Sequence, residues 1–237
     1  MMKFDLHIHS YKSYDSLSSF ENIIKYAKLR QLTGITITDH EVLVSEDFRD
    51  IAMRNNIWII DGIEVKTEIG DIIGLFISGK LKSKKAVDLL DEIHDQGGIS
   101  VLAHPFKYMD RYPVNLLEKI NAVEIVNARW KDLNLFTDNP KVNQLLSIVR
   151  GRCAGSDSHF TFEIGRSYWT TPNINSQDEL KKSICTNTGQ AISNCFSERL
   201  DELSQCVKFI KNPSLKQIAR IIYWSSRRVL FGKRKTL

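Results

Sequence analysis

The chain has 237 residues, and its hydrophobic, aromatic and charged fractions of 42%, 9% and 26% are those of an ordinary globular protein. No stretch of about 18 uncharged apolar residues is present, which argues against a membrane span. The formal charge of +5 comes wholly from the segment 203–237, which contains nine Lys or Arg and no Asp or Glu. The remaining body is slightly acidic, so the basic pI is no argument that the whole protein binds nucleic acid.

The first residues alternate and carry charge, and they contain no apolar run of the kind found in a secretory signal. The cysteines form no C-x-x-C pair and none neighbours a histidine, so we expect reduced thiols. They are Cys153, Cys185, Cys195 and Cys206. These features predict a cytoplasmic protein.

Short β-rich runs alternate with helical patterns along the first two thirds of the chain. The predicted strands are 3–8, 34–38, 57–65, 72–77, 99–103, 123–126 and 152–154. The predicted helices between and after them are 20–30, 45–55, 83–96, 140–149 and 177–185. This alternation indicates βαβ units and a parallel sheet or barrel covered by helices.

The alternation stops near residue 187, and the rest of the chain predicts two helices, 196–211 and 214–231, broken near Asn212-Pro213. We therefore expect a barrel domain over residues 1–190 and a basic helical extension over 191–237. An apolar stripe with interspersed lysines and arginines in the second helix leaves three uses open. The helix packs on the barrel, lies on an anionic membrane surface, or contacts nucleic acid.

The first strand ends in a pair of histidines, His7-Ile8-His9. The period of two along a strand places both imidazoles on one face, where they can hold one metal ion. Asp15 follows in the next loop. A single H-x-H pair is a weak signal by itself, because strand histidines also occur in ordinary packing.

Further imidazoles and carboxylates follow other predicted strands. They are His40, Glu64, His104, Asp157 and His159. In barrels of parallel strands the C-terminal strand ends meet at one face, so side chains remote in sequence converge there. Imidazole and carboxylate together suit Mn, Zn or Fe, and a bridging carboxylate brings two ions to about 4 Å. The sequence therefore predicts two or three divalent metal ions. Only His94 departs from this pattern, and we expect it at the surface of its helix.

Four motifs, in this order, resemble those of the PHP (polymerase and histidinol phosphatase) family. They are Asp5-Leu6-His7-Ile8-His9-Ser10, Thr38-Asp39-His40, His104-Pro105 and Gly155-Ser156-Asp157-Ser158-His159. The resemblance covers about residues 2–170, and 121–129 with 155–168 resemble its small stand-alone branch, which carries a PHP-associated C-terminal part. It implies an α/β fold, a distorted (β/α)7 TIM-like barrel with a C-terminal helical appendage.

The resemblance also implies how the ligands divide among metals. One ion would be held by His7, His9, Glu64 and Asp157. Glu64 would bridge to a second ion that His104 also binds. A third ion would be held by Asp15, His40 and His159.

This chain departs from many relatives after Glu64, because it reads Gly70-Asp71-Ile72 where they have a histidine. Asp71 and Glu68 are both candidates to replace that ligand. Glu124 and Asn127, at the end of their strand, are candidates to supplement it.

These residues together predict a metal-dependent phosphoesterase. It would hydrolyse phosphomonoester or phosphodiester bonds of a small or nucleotide-like substrate through a hydroxide that bridges two metals. We assign catalysis to Asp157, His159 and Asp39, with Asp39 orienting a ligating imidazole. For gripping the phosphate, the first candidate is Arg166, and the others are Lys107 and Arg111.

Three alternatives stay open. Histidinol-phosphate hydrolysis is one, although the short loops and the C-terminal part disfavour it. A non-catalytic binding module is another, although the ligand positions are intact. A metal-dependent hydrolase of C–N bonds is the third, although such enzymes usually use a ligating lysine. The substrate, the metal and the oligomeric state do not follow from the sequence.

Overall fold

We describe a computed structural model of the chain, covering residues 1–129, 138–193, 200–215 and 217–219. Its strands are β1 Met2–Ile8, β2 Gly34–Ile37, β3 Trp58–Lys66, β4 Asp71–Leu75, β5 Ile99–Leu102, β6 Ala122–Asn127, β7 Gly151–Gly155, β8 Ser167–Thr171 and β9 Gln190–Ser193. Its α-helices are α1 Phe20–Leu29, α2 Glu46–Arg54, α3 Ala86–Asp95, α4 Val114–Leu117, α5 Pro140–Ile148, α6 Gln177–Thr186 and α7 Leu200–Lys211. Two 3₁₀ helices, Pro105–Arg111 and Thr161–Glu163, follow β5 and β7.

The described strands form one sheet in the order β7-β6-β5-β4-β3-β2-β1-β8-β9. Ile8 at the end of β1 bridges Ser158, which follows β7, and His9 N–H donates to the Ser158 carbonyl at 2.8 Å. These contacts bring the first and seventh strands together and nearly close the sheet. The predicted α/β fold with a distorted TIM-like barrel is therefore confirmed.

The sheet is mixed, whereas the sequence pattern predicted parallel strands. β4 runs antiparallel to both β3 and β5, and β8 runs antiparallel to β1 and β9. Only 67–70 separate β3 from β4, and a parallel crossover needs a dozen or more residues. Because β4 is reversed, its first residue lies at the end of the barrel where the neighbouring strands finish.

The sequence analysis missed β8 and β9. β8 is the run Ser-Tyr-Trp-Thr-Thr, rich in residues that favour strands, and its Trp169 is fully buried. The last strand continues to Ser193, so the domain boundary that we predicted after residue 190 falls inside it. That division of the chain stays a prediction.

Local signals explain the outer helices. Ser19 accepts a hydrogen bond from Asn22 N–H and caps α1, as its sequence position indicates. The buried faces of α1, α2 and α3 carry apolar residues at helical spacing. On β1, Leu6 and Ile8 contribute to apolar clusters, while His7 and His9 occupy the alternate positions. The strand therefore directs its imidazoles away from these packed faces.

Asp5 links β1 to two loops. Its carboxylate accepts hydrogen bonds from Ser156 N–H and Gly165 N–H, both at 2.8 Å. Burial raises the pKa of the Asp5 carboxyl to about 6, although these bonds act in the opposite direction. The loop that carries Asp157 is thus fixed to β1 by a fully buried group.

Gly155 allows that same loop to pass close to β1. A Cβ at this position would lie 2.3 Å from His7 Cβ and 2.7 Å from His7 N. We expect Gly155→Ala to lower the free energy of unfolding by about 2–4 kcal/mol, because neither neighbour can move without shifting the strand. Urea denaturation measures the change.

Gly79→Ala is the matched control. Its added Cβ would meet only the Gln96 side chain, at 3.4 Å. We expect a change within about 0.5 kcal/mol. Equal stabilities of the two variants would contradict the close approach at Gly155.

Candidate metal centre

Side chains from the ends of five strands converge at one end of the barrel. His7 and His9 come from β1, and His40, Glu64 and His104 come from the ends of β2, β3 and β5. Asp157 and His159 follow β7, and Asp15 reaches the same place from the loop after β1. The structure therefore brings together all eight residues that the sequence predicted as metal ligands.

The Nε2 atoms of His7 and His9 lie 3.2 Å apart. Each is also 3.4 Å from Asp157 Oδ1. His7 Nδ1 lies 3.0 Å from the Glu124 carboxylate and donates its proton to it. In the neutral ring, which has only this one proton, the Nε2 lone pair therefore faces the cluster.

Asp39 fixes the second imidazole through Ser13. The Ser13 hydroxyl donates to Asp39 at 2.7 Å and lies 3.1 Å from His9 Nδ1. With its only proton committed to Asp39, the hydroxyl accepts from His9 Nδ1–H, which leaves the His9 Nε2 lone pair facing His7. The Asp39 carboxylate also accepts from the N–H and the hydroxyl of Ser10. These contacts agree with the orienting role predicted for Asp39, with His9 as the imidazole that it orients. Its part in catalysis stays a prediction.

Glu64 occupies the centre of the cluster. Its carboxylate lies 3.1 Å from both His40 Nδ1 and His104 Nε2, and 3.4 Å from His9 Nε2. Burial alone would raise the pKa of this carboxyl, but the surrounding imidazoles, His7 foremost, hold it well below its usual range. Glu64 is therefore ionised and contacts ligands from three other strands.

Asp15 forms one edge of the cluster. Its Oδ2 lies 3.1 Å from His159 Nε2 and 3.4 Å from His40 Nε2, while Oδ1 is buried without a hydrogen-bond partner in the described residues. Burial would raise the pKa of the Asp15 carboxyl, but His159 and His40 lower it far below its usual range. An ionised, buried oxygen without a donor is suited to a cation.

His159 and His40 titrate in opposite directions. Burial and the nearby Arg129 lower the pKa of His159 to about 4, although Asp15 acts against them. Burial would also lower the pKa of His40, but Glu64 and Asp15 raise it to about 10. His159 Nδ1 donates to the Asp157 carbonyl at 2.9 Å, so neutral His159 presents its Nε2 lone pair to Asp15.

Asp71 occupies the opposite edge. Its Oδ2 lies 3.7 Å from His104 Nε2, because the reversed β4 begins at the same end of the barrel at which β5 finishes. Glu68 does not reach the cluster: its carboxylate accepts from Ala86 N–H at 3.1 Å, at the start of α3. Of the two candidates for the missing histidine, the geometry favours Asp71.

Glu124 and Asn127 support the ligands. Glu124 accepts from His104 N–H at 2.9 Å, in addition to its contact with His7. Asn127 donates to Glu124 at 2.8 Å and lies 3.4 Å from Asp157. Such contacts fix the orientation of first ligands and raise their basicity.

Three overlapping groups of donor atoms fit metal ions. Within each group the atoms lie within 4.8 Å of one another. The groups are His9, Asp15, His40 and His159; His7, His9 and Glu64; and Glu64, Asp71 and His104. Imidazole nitrogen with carboxylate oxygen is a donor set for Zn, Mn or Fe. The shared His9 and Glu64 suit neighbouring ions, and Asp157 lies beside the first two groups.

Two residues of the cluster have a positive backbone φ, in the left-handed region. They are His104, with φ 29°, and Asp157, with φ 53°. Such conformations are uncommon for residues other than glycine and concentrate at functional sites. Each lies two residues beyond the end of its strand, His104 after β5 and Asp157 after β7. Their conformations turn the side chains toward the shared centre.

The cluster opens into a pocket of about 210 Å³. Its lining residues are Tyr14, Asp15, His40, Glu64, Lys66, Asp71, His104, Lys107, Arg129, Asp157, His159, Ser204, Gln205 and Lys208. A larger open cleft of about 550 Å³ lies by the start of β3 and is lined by Arg49, Trp58 and Gln177 among others. It contains none of the clustered ligands, so we assign the chemistry to the smaller pocket.

The three residues predicted to bind phosphate differ in their position relative to the pocket. Lys107 lines the pocket, with its Nζ 3.6 Å from Asp71 Oδ2. Arg166 does not line it, because its guanidinium stacks over the Phe162 ring with 5.6 Å to the centroid. The role of Arg166 in gripping the phosphate is not supported by this placement and stays a prediction. The Arg111 side chain lies outside the described part of the structure.

The sequence analysis missed Arg129, which follows Asn127 beyond β6. Its guanidinium is buried and binds the Glu163 carboxylate through Nε at 2.8 Å and Nη2 at 2.7 Å. Glu163 also accepts from the N–H groups of His159 and Phe160, both at 2.9 Å. The ion pair thus holds the His159 loop in place.

The helix predicted over 196–211 is present as α7, but its place beside the pocket, which it borders with Ser204, Gln205 and Lys208, was not predicted. We treated this region as an extension beyond the barrel, and the apolar stripe of α7 does not indicate where it docks. The second predicted helix lies largely outside the described residues. Its packing, membrane and nucleic-acid alternatives therefore stay predictions.

His94 is half-buried rather than at the surface. Its Nε2 lies 2.8 Å from Asn121 Oδ1 and 3.3 Å from Ser100 Oγ. Neither atom belongs to the metal cluster. The expectation of surface exposure is therefore corrected.

The family follows from direct comparison. A model of the PHP domain matches residues 5–150, more than half of the chain, so the chain belongs to the PHP domain family. It is 28% identical over 228 residues to an uncharacterized protein of Methanocaldococcus jannaschii, covering 90% of this chain and 86% of that protein.

Two solved structures share the fold. One is a two-domain protein from Bacteroides vulgatus containing a predicted PHP-like metal-dependent phosphoesterase, with TM-score 0.65 and 18% identity. The match covers 81% of this chain but only 64% of that protein. The other is PsfC from Pseudomonas syringae, with TM-score 0.59, 16% identity, and coverage of 87% of this chain and 97% of that one.

Within the described residues, no helix combines the length and hydropathy needed to cross a bilayer.

We expect Asp71→Ala to reduce bound metal, because it removes a carboxylate from one of the three donor groups. The loss should be about one equivalent per chain or a 10–100-fold weaker affinity. Elemental analysis of protein equilibrated with Mn or Zn measures it. Glu68→Gln, only three residues away, should keep the full metal content; equal losses in both variants would remove Asp71 from the site.

We expect metal affinity to increase with pH between about 6 and 9. Nearby carboxylates raise the pKa of His7 and His40 in the metal-free protein, so both imidazoles are protonated near neutrality. Since a ligating imidazole must lose its proton, binding should release protons. Calorimetric titrations in buffers of different ionisation enthalpy count them, and a pH-independent affinity without proton release would contradict the assignment.

Proposed function

We propose that the protein is a metal-dependent hydrolase of phosphate esters, with a small or nucleotide-like substrate. The observation that carries the proposal is the set of three overlapping donor groups at the bottom of a pocket with lysines at its edges. Membership of the PHP domain family supports it. A likeness in fold to structures below 25% identity adds nothing on substrate.

Bound divalent ions would supply Lewis acidity and make hydroxide available near neutral pH. They would be held by the donor groups described above, with His9 and Glu64 shared between neighbours. The protein contributes the fixed orientation of these donors. Ser13 and Glu124 hold His9 and His7 by Nδ1, so both rings keep Nε2 directed into the cluster.

The pocket side chains also position and stabilise an ester. Lys66 and Lys107 present ammonium groups where negative charge develops on phosphate oxygens. Asp157 and His159 lie at the boundary between the ligands and the pocket. With its pKa lowered to about 4, His159 is neutral near pH 7, and its Nε2 lone pair is free of a proton, so it can bind a metal ion or accept a proton.

The competing functions differ in what they require. A non-catalytic module has no need for the complete donor groups and the hydrogen bonds that orient them, so their presence supports an enzyme. Histidinol-phosphate hydrolysis and C–N bond hydrolysis would use the same metals. A panel of substrates separates these two functions from the proposed one. Histidinol phosphate differs from other phosphate esters in its leaving group, and a C–N hydrolase differs in the bond that it breaks.

The test is hydrolysis of p-nitrophenyl phosphate and of a panel of natural phosphate esters by metal-loaded protein. We expect turnover that a chelator abolishes and that added Mn, Zn or Fe restores. Asp157→Asn should reduce kcat at least about 100-fold, because the pair of imidazoles loses its carboxylate neighbour. Circular dichroism and the melting temperature check that the variant folds.

His94→Gln is the matched control, since it changes a histidine bonded outside the metal cluster. It should keep the wild-type rate within about twofold. Chelator-insensitive turnover would contradict the proposal, as would an Asp157→Asn rate equal to wild type. Hydrolysis of amides in preference to all phosphate esters would favour the C–N hydrolase.

A further inference from the structure

The C-terminal helix α7 supplies part of the pocket wall. Ser204, Gln205 and Lys208 all line the cavity, and residues four apart on a helix share one face. Lys208 Nζ lies 3.1 Å from Asp15 Oδ2 and 4.9 Å from the centroid of the Tyr14 ring. Only 18% of the Lys208 side chain is exposed. An ammonium group is therefore held at the edge of the candidate metal centre.

Other contacts dock the helix. Lys211 Nζ donates to the carbonyls of Tyr11 and Ser13 at 2.6 and 2.7 Å. Arg129 Nη1 donates to Ser204 Oγ at 3.0 Å, and Val207 is buried. Since these contacts already fix α7 on the barrel, docking does not explain why a lysine is directed into the pocket.

A lysine lies at each of the two opposite edges of the metal cluster. Lys208 contacts Asp15 at one edge, and Lys107 lies 3.6 Å from Asp71 at the other. The pocket lining contains four carboxylates, three lysines and Arg129, whose charge is paired with Glu163. Two or more divalent ions would give this pocket a clear positive charge, which favours a dianionic ligand over a monoanionic one.

We propose that Lys208 is the phosphate-binding residue that α7 contributes, and that it selects substrates with a terminal phosphate group. The proposal rests on the proposed function and names the substrate class of the same site. A terminal phosphate carries a charge of about −1.5 to −2 at pH 7, and an ammonium forms charge-assisted hydrogen bonds with its oxygens.

The dimensions of the pocket favour the same substrate class. Its volume of about 210 Å³ is below the roughly 300–1,000 Å³ of usual ligand pockets. One wall is α7, which Lys211 ties to the loop after β1. This space suits a phosphate and the adjoining part of its leaving group, whereas an internal phosphodiester needs room for chain on both sides.

The test compares the full-length, metal-loaded protein with Lys208→Gln, Lys208→Met and Lys208→Arg. The binding of inorganic phosphate is measured by calorimetry. KM and kcat are measured for p-nitrophenyl phosphate and for bis(p-nitrophenyl) phosphate. Lys119→Gln is the control, because it removes a half-exposed lysine that pairs with Asp91 away from the pocket.

We expect Lys208→Gln and Lys208→Met to weaken phosphate binding about 10-fold or more. KM for the monoester should rise similarly, with a smaller change for the diester and in kcat. Lys208→Arg should restore part of the affinity. Lys208→Met keeps the aliphatic stem beside Tyr14, so it serves if the glutamine variant fails to fold. Metal content should equal that of wild type in every variant.

The outcomes separate the two proposals. If phosphate binds in a Lys208-dependent way but no ester is hydrolysed, the subsite stands and the proposed function fails. If esters are hydrolysed but the glutamine and methionine variants keep wild-type phosphate affinity and KM, the subsite is overturned. An additional metal equivalent in these variants with unchanged phosphate affinity would also overturn it, since Lys208 would then only neutralise Asp15.

Discussion

The structure depends on the approach of two imidazole nitrogens, Nε2 of His7 and Nε2 of His9, to 3.2 Å. Their Nδ1 atoms are engaged by Glu124 and by Ser13. Neutral rings would therefore direct two lone pairs at each other inside a fully buried site. A proton or a cation must lie between such atoms, and the carboxylates around them stabilise either one. Protons and metal ions therefore compete for the same space, and the buried acids are the reason that both are held strongly.

The sequence was sufficient for the barrel and for the convergence of the eight candidate ligands, because both follow from local rules. Strand alternation placed His7 and His9 on one face, and the common direction of most strands gathered the other ligands. It was insufficient to choose between Asp71 and Glu68. Only the reversal of β4 shows that the beginning of this strand, with Asp71, meets the end of β5. The orientation of the Arg166 side chain could not be predicted from the sequence either, since its stacking on Phe162 depends on the turn before β8.

The contribution of α7 could not be read from its pattern at all. An amphipathic helix indicates that one face is buried, but not against which surface. Here the docking contacts are backbone carbonyls of Tyr11 and Ser13 and a buried arginine that follows β6. None of these partners has a sequence signature. The charge count predicted a separate basic extension, whereas Lys208 lines the pocket and Lys211 docks α7 on the loop after β1.

The ion pair between Arg129 and Glu163 has a consequence for the boundaries of the folded unit. Its guanidinium reaches Ser204 on one side, and its carboxylate holds the backbone of His159 on the other. A chain ending after β9 would lack Ser204, so the buried Arg129 guanidinium would lose that hydrogen-bond acceptor beside the loop that carries His159. We therefore expect the smallest piece of the polypeptide that folds with its centre intact to extend through α7, beyond β9.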